Sequence, residues 1–323
     1  MGIRRQNEID DLLNAAEERG AWLYTKDKAL ASALKRRCKA GDVKEVAVGC
    51  FARTSTWQKM KLLPRYMFLL RAVSEALPDC VFCRESAAAL YGLEVSKANM
   101  RRVHICTSRK AHTESSRLVT RHLVENDDAE EIGGLRATSI ARTAFDCMRA
   151  ESFCSGLAIA DSALRSGRIP REELERYIVA HPHYPGICTA RKTIAYADPR
   201  SENGGESFAR GTMIELGYMI PELQYPLHDD LSGDDYRADY LWRIPAGNGK
   251  VTRVVGELDG AIKYDDPDYM SGRSLAEVVQ DERHRESRVS LSVSKICRFS
   301  LSTVYDRQAF SRLLDAYGIP RVS

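Results

Sequence analysis

Residues 236–242 (YRADYLW) and 251–258 (VTRVVGEL) are two β-type runs on either side of Pro245, Gly247 and Gly249. Short runs of β-branched and aromatic residues bounded by turn formers read as neighbouring strands joined by a hairpin. The flanking segments read in order as a helix over GGESFARGTMIELG, an extended stretch at 221–227, the hairpin, a charged amphipathic helix at 274–289, a strand at 291–299 and a closing helix at 306–317. That order gives a sheet sandwiched by helices. The second hairpin strand ends in Glu257-Leu258-Asp259-Gly260, and Asp239 lies in the first. Residues two apart in a strand share a face, so Glu257 and Asp259 point the same way. Like charges at a sheet end are best tolerated with a divalent cation between them, and Mg²⁺ takes one or two carboxylates plus water and phosphate oxygens. Asp239, Glu257 and Asp259 are therefore candidate ligands for Mg²⁺ or Mn²⁺. Lys263, past the Gly260 bend, is a candidate to neutralise an attacked phosphate, and Glu206 on the preceding helix is a candidate acidic helper. The plainer reading of Asp239 pairs it with Arg237 or Arg253, and that of Glu206 is helix capping.

A chain of 323 residues is long for one domain, so two or three are expected. With 44% hydrophobic and 29% charged residues it builds real cores and is not disordered. No run approaches a membrane span, and the basic start MGIRRQNEIDD has no apolar stretch after it, so a cytoplasmic protein is expected. Nine scattered cysteines fit reduced thiols better than a disulfide framework. Cys80-Val-Phe-Cys83 lacks a second pair at metal-ligand spacing and reads as core strand, and His181-Pro-His183 reads as a surface turn.

The net charge of +3 is small, so its distribution matters. Ile9, Leu12, Leu13 and Ala16 have helical spacing, closed by Gly20, and a second helix is expected with Thr25 as its cap and Gly41 after its end. Leu30, Ala33, Leu34 and Cys38 share one face of that helix. Ser32, Lys35, Arg36 and Lys39 share the other, free for phosphates or base edges. The alternating VKEVAVGCFAR that follows reads as a β-wing, which makes residues 1–56 a candidate winged helix-turn-helix. Residues 97–122 hold seven Lys or Arg against Glu114 alone, a second basic stretch.

This opening, together with RESAAALYGL (84–93), VHICTSR (103–109) and GGLRATSIARTAFDCMR (133–149), resembles the AbiEi-type antitoxin and transcriptional-regulator family over about residues 1–165. The resemblance implies a DNA-binding winged helix followed by a mixed α/β domain. Within the last motif, Thr138 or Ser139 is expected to cap a helix, and Arg142 and Asp146, one turn apart, to pair. Over about residues 200–318, Glu206 in GGESFAR, Asp239 in RADYLW and Glu257, Asp259 and Gly260 in GELDG resemble the PD-(D/E)XK superfamily, in particular the branch related to very-short-patch repair endonucleases. That resemblance implies a restriction-endonuclease-like α/β sandwich with Asp239 and Glu257 as metal ligands, Glu206 as an acidic helper, and a downstream helix carrying Glu282, Arg283 and Arg285. Asp259 stands where that motif usually has lysine, and Lys263 where the related branch often has histidine. The expected architecture is thus an α+β, α/β multidomain chain: winged helix-turn-helix at 1–56, AbiEi-like α/β domain with a helical extension at 57–199, and nuclease-like domain at 200–323. The expected function is a DNA-binding protein with a Mg²⁺-dependent endonuclease domain, with double-stranded DNA as partner and a cognate toxin and a second copy of the chain as further ones. The alternative is a non-catalytic antitoxin or autorepressor with a degenerate nuclease fold.

Overall fold

The computed structural model describes residues 3–108, 118–124, 129–228, 235–246, 249–259 and 294–322. The chain forms two compact units, Met1–Ala150 with Gly167–Cys188, and Glu151–Ser166 with Thr189–Ser323. The first combines helices with two sheets and the second with one, so the protein is a mixed α/β chain with several sheets. No helix among the described residues is long and apolar enough to cross a membrane.

The first unit opens with α1 (Ile3–Glu18), β1 (Leu23–Tyr24), α2 (Lys28–Ala40), β2 (Val43–Ala47) and β3 (Cys50–Arg53), the strands forming a three-stranded antiparallel sheet in the order β1-β3-β2. Ile9, Leu13 and Ala16 of α1 meet Ala33 and Leu34 of α2 with Val43 and Phe51 of the sheet, which is the apolar face the helical spacing predicts. The cap of α2 is Asp27, whose side chain accepts from the amides of Ala29 and Leu30 at 2.7 and 3.1 Å. The expected cap, Thr25, instead accepts from the Asp27 amide at 3.0 Å and so shapes the turn ahead of it. Gly41 ends α2 with φ +88°, a conformation only glycine adopts at low cost. Residues 19–27 between α1 and α2 include a strand, a longer link than the three or four residues of a helix-turn-helix.

α3 (Thr54–Lys59) and α4 (Leu62–Ala76) lead into a mixed five-stranded sheet, order β6-β5-β4-β8-β7, built from β4 (Val81–Phe82), β5 (Val103–Thr107), β6 (Val119–Leu123), β7 (Glu130–Ile132) and β8 (Leu135–Ala137). α5 (Arg84–Leu90) and α6 (Ile140–Ala150) belong to this unit. Cys83 is buried beside β4 and all nine cysteines are free, as the core-strand reading requires. α7 (Phe153–Arg165) joins the second unit, and α8 (Arg171–Ala180) returns to the first and packs on α6. There Phe145 meets Tyr177, His181 and Tyr184. Pro170 stands at the position just before α8, where its carbonyl accepts from the Glu173 and Leu174 amides.

The second unit holds α9 (Ile187–Tyr196) from Thr189 onward, α10 (Gly204–Glu215), β9 (Glu222–His228), β10 (Asp235–Pro245), β11 (Val251–Asp259), β12 (Lys295–Ser300), α11 (Leu301–Tyr305) and α12 (Arg307–Tyr317). Its sheet runs β12-β11-β10-β9. The β9, β10 and β11 strands are antiparallel, and β12 lies parallel to β11. A parallel pair requires a crossover, and the segment that makes it, with the helix expected at 274–289, lies outside the described residues. Ala209 and Met213 of α10, with Val304, Phe310 and Leu314, cover one face of the sheet over Tyr240, Trp242, Val254, Cys297 and Phe299. α7 packs closely on α10. A Cβ at Gly211 would lie 3.1 Å from the Cα and Sγ of Cys154, and a buried ion pair joins Arg210 to Asp161 at 2.7 Å.

Candidate functional site

The β10/β11 register pairs Tyr240 with Gly256, so the next pair along sets Asp239 opposite Glu257. The β9/β10 register pairs Ala238 with Tyr225 and Tyr240 with Leu223, which sets Gln224 on the other side of Asp239. Gln224, Asp239 and Glu257 thus form a row across three strands. At this row β9 and β10 break their alternation: Leu223 and Tyr240 belong to the core under α10, whereas Tyr225 and Ala238 belong to the opposite cluster with Leu227, Leu241 and Val255. Gln224 makes the switch with φ +52°, a left-handed backbone in a non-glycine residue. Strain of this kind persists only where the surroundings hold it, and it concentrates at functional sites. Gly256, beside Glu257, has room for no side chain, because a Cβ there would lie 2.7 Å from the Trp242 ring.

Three carboxyl groups meet around this row. The Asp239 Oδ2 accepts from the Leu258 amide at 2.9 Å. Glu257 accepts from the Tyr236 hydroxyl. Burial and then the Asp239 charge push its carboxyl up to about 7, against the opposing hydrogen bond from Tyr236. Glu206, in the first turn of α10, is buried and likewise pushed up to about 7, mainly by burial, with Asp239 and Glu202 adding to it. Its Oε2 accepts from the Glu202 amide at 2.7 Å and from Gln224 at 3.0 Å, and its Oε1 from Asn203 at 2.5 Å. Asn203 is the cap of α10, so one side chain both starts the helix and orients Glu206. Asp259 is exposed at the end of β11 and lies 3.5 Å from Arg298 of β12. Arg237 pairs with Glu202, not with Asp239. Lys263, Gly260, Glu282, Arg283 and Arg285 lie outside the described residues. Among the described residues no three His, Cys, Asp or Glu side chains form a group able to hold a metal ion. Gln224 and Tyr236 escaped the sequence reading. Tyr236 stands three residues before Asp239 in a strand, where alternation alone assigns it to the other face.

In the first unit, Ser32, Lys35, Arg36 and Lys39 of α2 are all exposed, and Lys35 lies 3.7 Å from Glu45 of β2. Arg37 instead turns inward to Asp10 and Asp42. Arg142 and Asp146 pair at 2.7 Å, and Arg149 completes the buried carboxylate's partners at 2.7 Å. A further polar cluster was not foreseen as one. The His104 Nδ1 lies 2.9 Å from the His122 Nε2 and 3.3 Å from the buried carboxylate of Glu85, the two rings stack, and the Arg84 Nη1 is 3.3 Å from the His122 Nδ1. Burial first, then Arg84 and His104, lower His122 to about 4. The signal was available in the RES motif and in two histidines on strands of one basic stretch.

Residues 80–186 run from β4 through α8. Residues 80–186 match the model of the AbiEi antitoxin C-terminal domain. Two curated relatives are 35% identical over 162 residues, the uncharacterized proteins MT2308 of Mycobacterium tuberculosis CDC 1551 and Rv2248 of Mycobacterium tuberculosis H37Rv. The match covers 50% of this chain and 58% of each relative, so the chain spans a little over half the length of the curated relatives it matches. No solved structure matches it.

Proposed function

We propose that the chain is a DNA-binding protein of the toxin–antitoxin type whose second unit hydrolyses DNA phosphodiesters with a divalent cation. The first half of this reading is supported by the AbiEi match at residues 80–186 and by the exposed basic side of α2. In it, α2 lies against the duplex with Ser32, Lys35, Arg36 and Lys39 toward phosphates and bases, β2 and β3 form the wing, and a cognate toxin is the protein partner.

The observation that carries the second half is the pairing of Asp239 with Glu257 at the end of the sheet, with Glu206 of α10 close enough to feel the same Asp239 charge. Asp239 and Glu257 offer hard carboxylate oxygens of the kind Mg²⁺ or Mn²⁺ takes one or two of, and Glu257 is destabilised as an anion by burial and by Asp239, a cost that a cation would relieve. Asp239 and Glu257 would hold the ion, with Asp259 at the strand end. Bound there, it would stabilise charge on a phosphate oxygen and lower the pKa of an attacking water. Tyr236 fixes one oxygen of Glu257. Glu206 accepts three hydrogen bonds, so its part is to orient Gln224 and the row beside it. Lys263 would neutralise the charge that develops on the phosphate.

The test is nicking of supercoiled and branched DNA with Mg²⁺, Mn²⁺ or EDTA. Glu257→Gln abolishes cleavage and leaves DNA binding in EDTA intact. Lys263→Ala slows turnover by about 10² to 10³, the usual loss of one charge stabiliser. A wild-type protein that binds DNA and cuts none of these substrates at any metal concentration leaves the non-catalytic antitoxin, which the family match favours by itself.

A further inference from the structure

β2 turns different side chains to different neighbours. Val43 packs with α2 and Glu45 meets Lys35 there, whereas Val46 packs with Trp57 and Met60. Lys44 follows Val46 toward α3, its ammonium 3.7 Å from the centroid of the Trp57 ring. The guanidinium carbon of Arg65 on α4 lies 3.7 Å from the same centroid. Two groups that close over one ring overlap unless they take opposite faces, so the indole is sandwiched between two cations.

Each cation is attracted to the ring, but the two repel each other across it, and the acids that flank Lys44 in sequence, Asp42 and Glu45, pair with Arg37 and Lys35 instead. From residue 46 to residue 74 the chain holds Arg53, Lys59, Lys61, Arg65 and Arg71 and no Asp or Glu. Among the described residues, neither Lys44 nor Arg65 pairs with a carboxylate. The Arg65 Nη2 donates to the Gln58 carbonyl at 3.2 Å, while its buried Nε meets no acceptor. An uncompensated pair of charges calls for an anion, and a guanidinium with lysine beside it favours one with more than one acceptor oxygen.

We propose that Lys44 and Arg65, held in place by Trp57, are a second phosphate-binding patch for the DNA backbone, on the side of the wing strand turned away from α2. Lys44 is exposed and Lys59 stands exposed on the same helix as Trp57, which widens the patch. Both ring faces are covered, so no base stacks on Trp57 and the contact reads no sequence. The proposal rests on the DNA-binding reading above and adds to it a contact outside α2.

Binding of a labelled duplex is measured by anisotropy against salt for wild type, Lys44→Ala, the Lys44→Ala/Arg65→Ala pair and the Lys35→Ala/Arg36→Ala/Lys39→Ala triple. Each lost phosphate contact lowers the slope of log K against log salt by about 0.9. Lys44→Ala, at an exposed position that leaves the fold intact, lowers it by about 0.9 and the pair by about 1.8, equally for unrelated duplexes. Trp22 and Trp242 are 1% and 0% exposed, so the emission change on DNA addition is that of Trp57 and disappears in Trp57→Phe. An unchanged slope in Lys44→Ala and in the pair, beside a reduced slope in the α2 triple, overturns the patch and leaves DNA binding by α2 standing. If those variants bind DNA normally but lose capture of an acidic protein, the patch belongs to a protein partner and the proposal falls. A wild type that binds no duplex at low salt removes both the patch and the reading beneath it.

Discussion

His122 shows what one buried imidazole does to the pH range of a fold. Its value, lowered from 6.5 to about 4 by burial and by Arg84 and His104, means that between those limits the unfolded chain binds the extra proton and the folded chain does not. Stability from this residue is therefore present above pH 6.5 and is lost as pH falls toward 4. His122 is partly exposed, which trims the effect to about 1–2 kcal/mol. The expected outcome is an acid-side loss of thermal stability between pH 6.5 and 4 that shrinks in His122→Gln, with an imidazole resonance titrating near pH 4. At this scale the carboxylates of the second unit are legible because charge inside an apolar strand stands out. Asp239 and Glu257 stand out on that ground and the register sets them opposite each other, whereas Glu206 is read from its place on the helix ahead of the strands. Gln224 is not legible, because its place depends on a backbone sign change at φ +52° that no local propensity favours. Asp259 is legible as a charge but not as a partner of Arg298, since that pair joins two strands made neighbours by a long crossover.

Helices and strands were more legible than their ends. The hairpin of β10 and β11 follows from two β-type runs and a turn-rich link, and α6 from the cap formers at its start and the Arg142–Asp146 pair one turn apart. The start of α2 was misread because Thr25 and Asp27 are both cap-forming residues two positions apart. Backbone geometry gives the cap to the one whose carboxylate reaches two amides. Strand β11 carries a test of packing at the site. Gly256→Ala would force its methyl against Trp242, whose ring lies 2.7 Å from the new Cβ, so urea unfolding of the variant is expected to show a loss of about 1–3 kcal/mol. The α7/α10 contact carries another. Asp161→Asn leaves the buried Arg210 without its charge partner, and the expected loss is about 3–5 kcal/mol, seen as a lower midpoint for the second unit.

The chain passes from the first unit to the second after residue 150, back at 167, and out again after 188. The first unit lacks α8 until the last of these points, and α8 supplies Tyr177, His181 and Tyr184 around Phe145. Gly186 closes so tightly on Arg149 that a Cβ there would lie 1.9 Å from its carbonyl oxygen. No single cut leaves both units whole. A fragment ending at 150 is expected to melt without a cooperative transition, and one ending at 188 to bind a hydrophobic dye through the bared side of α7, both against the full chain in the same buffer. The domain boundary placed near residues 199–204 from composition could not show this, because a helix that changes units carries no linker-like signature. During synthesis the same path sets an order of events. When α7 leaves the ribosome, the α10 surface it covers is still untranslated, so the nascent chain must hold an apolar helix exposed while the first unit waits for residues 167–188.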